Sequence, residues 1–147
     1  MTTQDNLILD KKSTRNMVDV KIILSALWGA RVFSGLQGDV TRLHDPVELN
    51  KLVAGTSEIA VTDAMLLALS IILAIPIIMS VLSLTLKDKA SRRANLITGI
   101  FFVVWELAFL IFVYSQASLY EIFWGIAYLI FASLVVWNAW KWPKQEV

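Results

Sequence analysis

Long apolar runs separated by short polar links set the plan of this chain. Four can be drawn, over residues 17–38, 62–86, 95–116 and 120–140. Each is close to the ~20 residues that carry an α-helix across ~30 Å of hydrocarbon. None keeps the period of two that a strand needs, and all are too long for membrane strands. The pattern predicts an all-α membrane protein: four transmembrane helices in a compact antiparallel bundle, filling residues 17–142. Residues 1–16 are polar, carry Asp5, Asp10, Lys11, Lys12 and Arg15, and read as a mobile tail rather than a signal peptide. Residues 143–147 form a second short tail.

The link between the first two runs predicts a short amphipathic helix. Asp45-Pro46-Val47-Glu48 places an N-cap acid, a proline at the first helical position and a glutamate at the third. Gly55 suits the C-terminal stop. Val47, Leu49, Leu52 and Val53 give this helix an apolar side, to lie on the membrane or lid the bundle.

Basic residues in the short flanks set the orientation. The link Lys87-Asp88-Lys89-Ala90-Ser91-Arg92-Arg93 holds four of them, and both tails hold more. The link between the third and fourth runs holds none. Both termini and the middle link are therefore expected in the cytoplasm, with the protein in the cytoplasmic (inner) membrane. Trp137, Trp140 and Trp142 at one end and Tyr114 and Tyr120 at the other suit headgroup depth.

Composition agrees. Hydrophobic residues make up 57% of the 147, and charged residues only 17%, against about a quarter in soluble domains. A net charge of +1 gives no electrostatic case for nucleic acid. The absence of cysteine excludes disulfides, thiolate nucleophiles and Cys-ligated metals. One histidine, His44, excludes a bis-histidine haem within one chain. No nucleophile elbow, phosphate loop or His-x-x-x-His pair is present. Neither a catalytic residue nor a cofactor is expected.

Away from their ends, the apolar runs hold two charges: Arg31 in the first and Glu106 in the third. At ~1.5 Å per residue both fall roughly 16–21 Å from the cytoplasmic end, so they match in height. Ala26, Ala30, Ser34 and Gly38 form a small-residue ridge beside Arg31, which points it into a helix interface. Asn95, Gly99, Phe102 and Glu106 share one face of the third helix. Gly125, Ala132 and Ala139, with Glu121 and Tyr128 alongside, mark the fourth; Asp63, Ser70 and Ala74 mark the second, where Pro76 predicts a kink.

Two readings of Arg31 and Glu106 stay open. One is a buried ion pair that fixes register. The other is a ligand or ion pathway lined by Arg31, Glu106, Asn95, Tyr128 and Ser34. An outer polar cluster of Asp39, Asp63 and Glu121 is a weaker candidate, for a cation held by oxygens. It lacks the spacing of a calcium loop, and no metal site is assigned to it.

Several stretches resemble a little-studied prokaryotic family of small four-helix membrane proteins of unknown function. They are Leu24-Ser25-Ala26-Leu27-Trp28, Asp39-Val40, Leu43-His44-Asp45-Pro46, Ala94-Asn95-Leu96-Ile97, Leu119-Tyr120-Glu121-Ile122-Phe123 and Trp137-Asn138-Ala139-Trp140-Lys141-Trp142. The resemblance implies one four-helix bundle in a cytoplasmic membrane and no activity. The functional expectation is a small homo-oligomeric membrane protein in the lipid bilayer whose polar interior binds or passes a small solute, ion or proton. The alternatives are a structural or accessory subunit and, behind that, an enzyme acting on a lipid or quinone near Trp28, Phe102, Trp105 and Trp124.

Overall fold

The computed structural model describes residues 3–56, 62–113 and 118–142. These residues form five α-helices and no strand: α1 (Thr3–Leu43), α2 (Pro46–Ala54), α3 (Asp63–Thr85), α4 (Asp88–Val113) and α5 (Leu119–Trp140). Tyr114, at the expected end of the third run, and Lys144 in the second tail lie outside the described residues.

Two helices are longer than the apolar runs that predict them. α1 begins at Thr3, so residues expected as a tail are helical. No glycine or proline precedes Gly29, so nothing in the backbone stops the helix from extending. Its 41 residues reach roughly 60 Å, about twice a hydrocarbon core. α4 begins at Asp88, ahead of the run expected from Asn95. The basic stretch read as a link holds no helix breaker, and Asp88 sits where the N-terminal end of the helix dipole favours an anion. The true link is only Leu86 and Lys87.

α2 forms where its end signals place it. Asp45 is extended (φ −78°) and accepts from the Val47 N–H at 2.9 Å, with Pro46 opening the helix. Gly55, at φ 63°, closes it in the left-handed conformation that favours glycine. Its N–H donates to the Leu52 carbonyl, and that of Thr56 to Lys51. Glu48 does not reach back to Asp45, whose N–H is already bonded to the Arg42 carbonyl. It pairs instead with Arg42 at 3.0 Å and Lys51 at 2.8 Å. Val47, Leu49, Leu52 and Val53 stay exposed, so α2 buries no side chain in its own chain.

α1 lies between α3 and α5, and α5 also packs closely on α4. α1 and α4 face each other across the interior, where long side chains span the gap. The core is Leu24 and Trp28 of α1, Met79 of α3, Phe102 of α4, Ala132, Val135 and Ala139 of α5, and Trp142. Glycines let α4 and α5 approach: a Cβ on Gly99 would sit 2.8 Å from Val136, and one on Gly125 2.6 Å from Leu110.

The polar face of α4 is buried as expected, at Asn95, Gly99, Phe102 and Glu106. So are Gly125, Ala132 and Ala139 of α5. The α3 stripe is corrected. Asp63 and Ser70 are exposed, as is every residue from Asp63 to Ile71; α3 instead buries Pro76, Met79 and Ser83. A helix apolar all round has no stripe that spacing alone can orient. On α1, Ala26 is exposed, and the small-residue ridge meets α5 near Gly38.

Contacts between elements define two ends. At one, Lys21 donates to the Leu86 carbonyl at 2.9 Å and pairs with Asp88 at 2.7 Å, while Arg92 Nε donates to the Ala139 carbonyl at 3.2 Å. At the other, the Tyr120 hydroxyl donates to Asp45 at 3.3 Å. Among the described residues, α3, α4 and α5 are long and apolar enough to cross a membrane. α1, expected as a further span, is not among them: Lys21, Arg31 and Gln37 dilute its apolar run.

Candidate functional site

Leu24, Trp28 and Arg31 fall on one side of α1, at helical spacings of four and three. That side is buried, and it delivers Arg31 to the interior. Phe102 and Glu106, one turn apart on α4, face it. One terminal nitrogen of the Arg31 guanidinium donates to Glu106 Oε1, forming an ion pair between residues only 7% and 3% exposed. The guanidinium carbon also lies 4.6 Å from the centre of the Phe102 ring and 5.4 Å from that of Tyr128. Both distances suit attraction between a cation and an aromatic face. Arg31 Nε, equally buried, has no hydrogen-bond partner among the described residues.

Of the other residues expected on a pathway, Tyr128 and Ser34 lie beside this pair and Asn95 does not. The Tyr128 hydroxyl donates to the Ser34 carbonyl at 3.3 Å; the Ser34 hydroxyl turns back to the Ala30 carbonyl at 2.8 Å. Asn95 belongs to a separate network near the α3–α4 link. Its Oδ1 accepts from Trp28 Nε1 at 2.7 Å, and its amide donates to the Ser91 carbonyl at 2.8 Å. The Ser83 hydroxyl is within reach of both Asn95 Oδ1 (3.0 Å) and the Met79 carbonyl (2.7 Å), with one proton to share. The Ser91 hydroxyl donates to the Ser83 carbonyl at 3.0 Å.

At the Tyr120 end a cleft of about 120 Å³ opens between α1, α4 and α5. Gly38, Asp39, Arg42, Phe109, Tyr120, Glu121, Trp124 and Tyr128 line it. Tyr128 thus belongs to the cleft wall and also packs on Arg31. Gly38 is required there, because a Cβ would collide with the Tyr128 hydroxyl.

The expected outer cluster is only partly assembled. Asp39 and Glu121 share the cleft; Asp63, at the exposed start of α3, is not in its lining. Glu121 is committed locally, accepting from the N–H of Ser118 at 2.9 Å and its hydroxyl at 3.0 Å, which caps α5. His44 Nδ1 lies 2.7 Å from the Val40 carbonyl. Among the described residues no group of three or more His, Asp or Glu is placed to hold a metal. In the cleft wall, the hydrogen bond that Arg42 donates to Glu48, with the Glu48 charge, raises the Arg42 pKa above its ordinary value. Glu48 is held below the usual carboxylate range by hydrogen bonds from Lys51 and then Arg42.

Sequence reasoning did not single out Ser83, Ser91 or Phe109. The two serines were detectable in principle. They flank the short α3–α4 link at similar distances, so a helical hairpin brings them together with Asn95 one turn further on. Phe109 carried no such signal, because an aromatic residue in an apolar helix is usually packing.

These features belong to a chain built of membrane-type helices around a buried ion pair. By sequence it belongs to the family of unknown function DUF6326, whose model matches residues 14–147. No curated protein and no solved structure matches it.

Proposed function

We propose that this protein is a four-span integral membrane protein that binds or passes a small solute, ion or proton at the Arg31–Glu106 pair. The spans alternate in direction. The Lys21 end and both termini face the cytoplasm, and the Tyr120 end faces out, as the basic residues of the α3–α4 region favour. α1 completes the set of spans because Glu106 offsets the charge that lowers its hydropathy.

Arg31 carries this reading. It is a buried guanidinium whose Nε has no hydrogen-bond partner among the described residues. Buried donors are almost always bonded, and an exception calls for a water or a visiting group. The cleft gives a route to it, ending at Tyr128. Its 120 Å³ equals about four waters at ~30 Å³ each, which restricts the visitor to small species. In this reading the protein assembles as a homo-oligomer, for which α3, exposed from Asp63 to Ile71, offers apolar surface.

The test is water access behind Tyr128. The chain contains no cysteine, so Ser34→Cys gives a single labelling site without background. A charged, membrane-impermeant maleimide applied to intact membranes is expected to label it quickly from the Tyr120 side. A folded Ser34→Cys protein that stays unlabelled would sink the pathway. A second reading, a structural or accessory subunit, would then stand. It is favoured by the Asn95 network, which joins α1, α3 and α4 by hydrogen bonds among their own side chains.

A further inference from the structure

The geometry points to the chemical class that the cleft at the Tyr120 end takes: a small organic cation of the methylated-ammonium type. This rests on the reading above only in that the cleft faces out of the membrane.

The walls are aromatic. Phe109, Tyr120, Trp124 and Tyr128 all contribute, and Trp124 stacks on Tyr128 with ring centres 6.4 Å apart and planes 20° from parallel. Both tyrosine hydroxyls are tied down, that of Tyr120 to Asp45 and that of Tyr128 to the Ser34 carbonyl. What the tyrosines offer the cleft is therefore ring surface and hydroxyl oxygens left only to accept. Aromatic surface beside carboxylates suits a cation that carries methyl groups in place of donors.

Charge in the cleft has the matching sign. Arg42 bonds Glu48, which Lys51 shares, and brings one positive charge against the two carboxylates of Asp39 and Glu121. Glu121, which caps α5, adds a second carboxylate to the lining. The Asp39 carboxylate has no hydrogen-bond or ion-pair partner among the described residues. One free carboxylate among aromatic rings, in a space of about 120 Å³, is a combination that selects a compact organic cation. An anion would meet two carboxylates, and a bare metal ion would find too few oxygens to replace its water.

The probe is tetramethylammonium chloride, titrated against the purified full-length protein in an uncharged detergent and followed by calorimetry or ligand-observed NMR. Saturable binding is expected, with no competition from an equal concentration of sodium. Asp39→Asn is expected to weaken it about fivefold, as is Trp124→Leu through loss of a ring. Asp63→Asn removes a carboxylate that does not line the cleft and is expected to leave binding unchanged. Asp39 is exposed, so its substitution leaves the fold intact. Absence of saturable binding, or equal binding to wild type and Asp39→Asn, would overturn the assignment. So would equal losses in Asp39→Asn and Asp63→Asn, which would report only bulk charge. Labelling of Ser34→Cys without tetramethylammonium binding would reject the ligand class and keep the pathway; binding to a protein whose Ser34→Cys is dry would keep the cation site and reject the pathway.

Discussion

Two buried polar clusters share α1, less than one turn apart at Trp28 and Arg31, and they are built on opposite terms. Around Asn95 every group is matched: the indole N–H, the amide oxygen, the amide nitrogen and the Ser91 hydroxyl each have a partner at 2.7–3.0 Å. A closed network of neutral groups in a dry interior is a lock. Around Arg31 the charges are paired, yet Nε has no partner among the described residues, and two aromatic rings stand where hydrogen-bonding groups would complete the shell. The first cluster fixes α1 against α3 and α4. The second keeps capacity for one more partner, and it adjoins the cleft through Tyr128.

Breaking the ion pair gives the largest expected effect. Removing one partner of a buried pair leaves an uncompensated charge, at a cost of about 3–5 kcal/mol. Glu106→Leu is expected to cost more than Arg31→Leu, because a lone carboxylate can be neutralised by a proton and a guanidinium cannot. The double Arg31→Leu, Glu106→Leu protein is expected to recover most of the loss. Unfolding of all three in mixed micelles checks this. A double variant no better than the worse single would show that the two side chains do not act as a pair.

Asn95→Leu probes the other cluster. It strands the Trp28 indole N–H, and buried hydrogen bonds between membrane helices average ~0.6 kcal/mol with a ceiling near ~1.7 kcal/mol. A loss of about 1 kcal/mol is expected, with maleimide labelling of Ser34→Cys unaltered. A change in that labelling rate would mean that the two clusters are coupled and that the contrast between them is false.

The smallest effect lies outside both clusters, on α2. The pKa of Glu48 is depressed in the folded state by bonds from Lys51 and Arg42. Its contribution is therefore present above the unfolded value of ~4.3 and fades as pH falls through the lower folded value. Arg42 stays charged throughout and adds no dependence of its own there. Amide exchange in α2 is expected to quicken below about pH 4, relative to the intrinsic rate, and Glu48→Gln to remove that step. Exchange that shows no step would mean that Asp45 and Gly55 alone hold α2.

Most of the elements were legible because their signals are local. Asp45, Pro46 and Gly55 mark the ends of α2 through backbone geometry that no distant residue needs to supply. Arg31 and Glu106 stood out because a charge within an apolar run is costly wherever the run packs. The face through Asn95, Gly99, Phe102 and Glu106 was legible because one glycine and two polar residues mark it on a mostly apolar run. The start of α4 was misjudged for the converse reason. Charge was taken to end the helix there, whereas charge ends only the apolar run, and Ser91 and Arg92 went on to bond inside the fold. The role of Glu121 was hidden in the same way, since a carboxylate three residues after a serine reads equally as a cap or as a cluster member.

By itself the sequence determined an all-helical chain, its helices of membrane type, the ends of α2, and two charges in otherwise apolar segments. Spacing and composition suffice for these, because helix periodicity and the cost of buried charge act along a single element. Only the tertiary structure decided which faces meet. It paired Arg31 with Glu106, sent Asn95 to Trp28 and the serines, left the first half of α3 uncovered, and put Asp39 in the cleft without Asp63. Those outcomes depend on the order of helices around the core and on where small residues let two backbones approach. Neither is written in the period of any single helix.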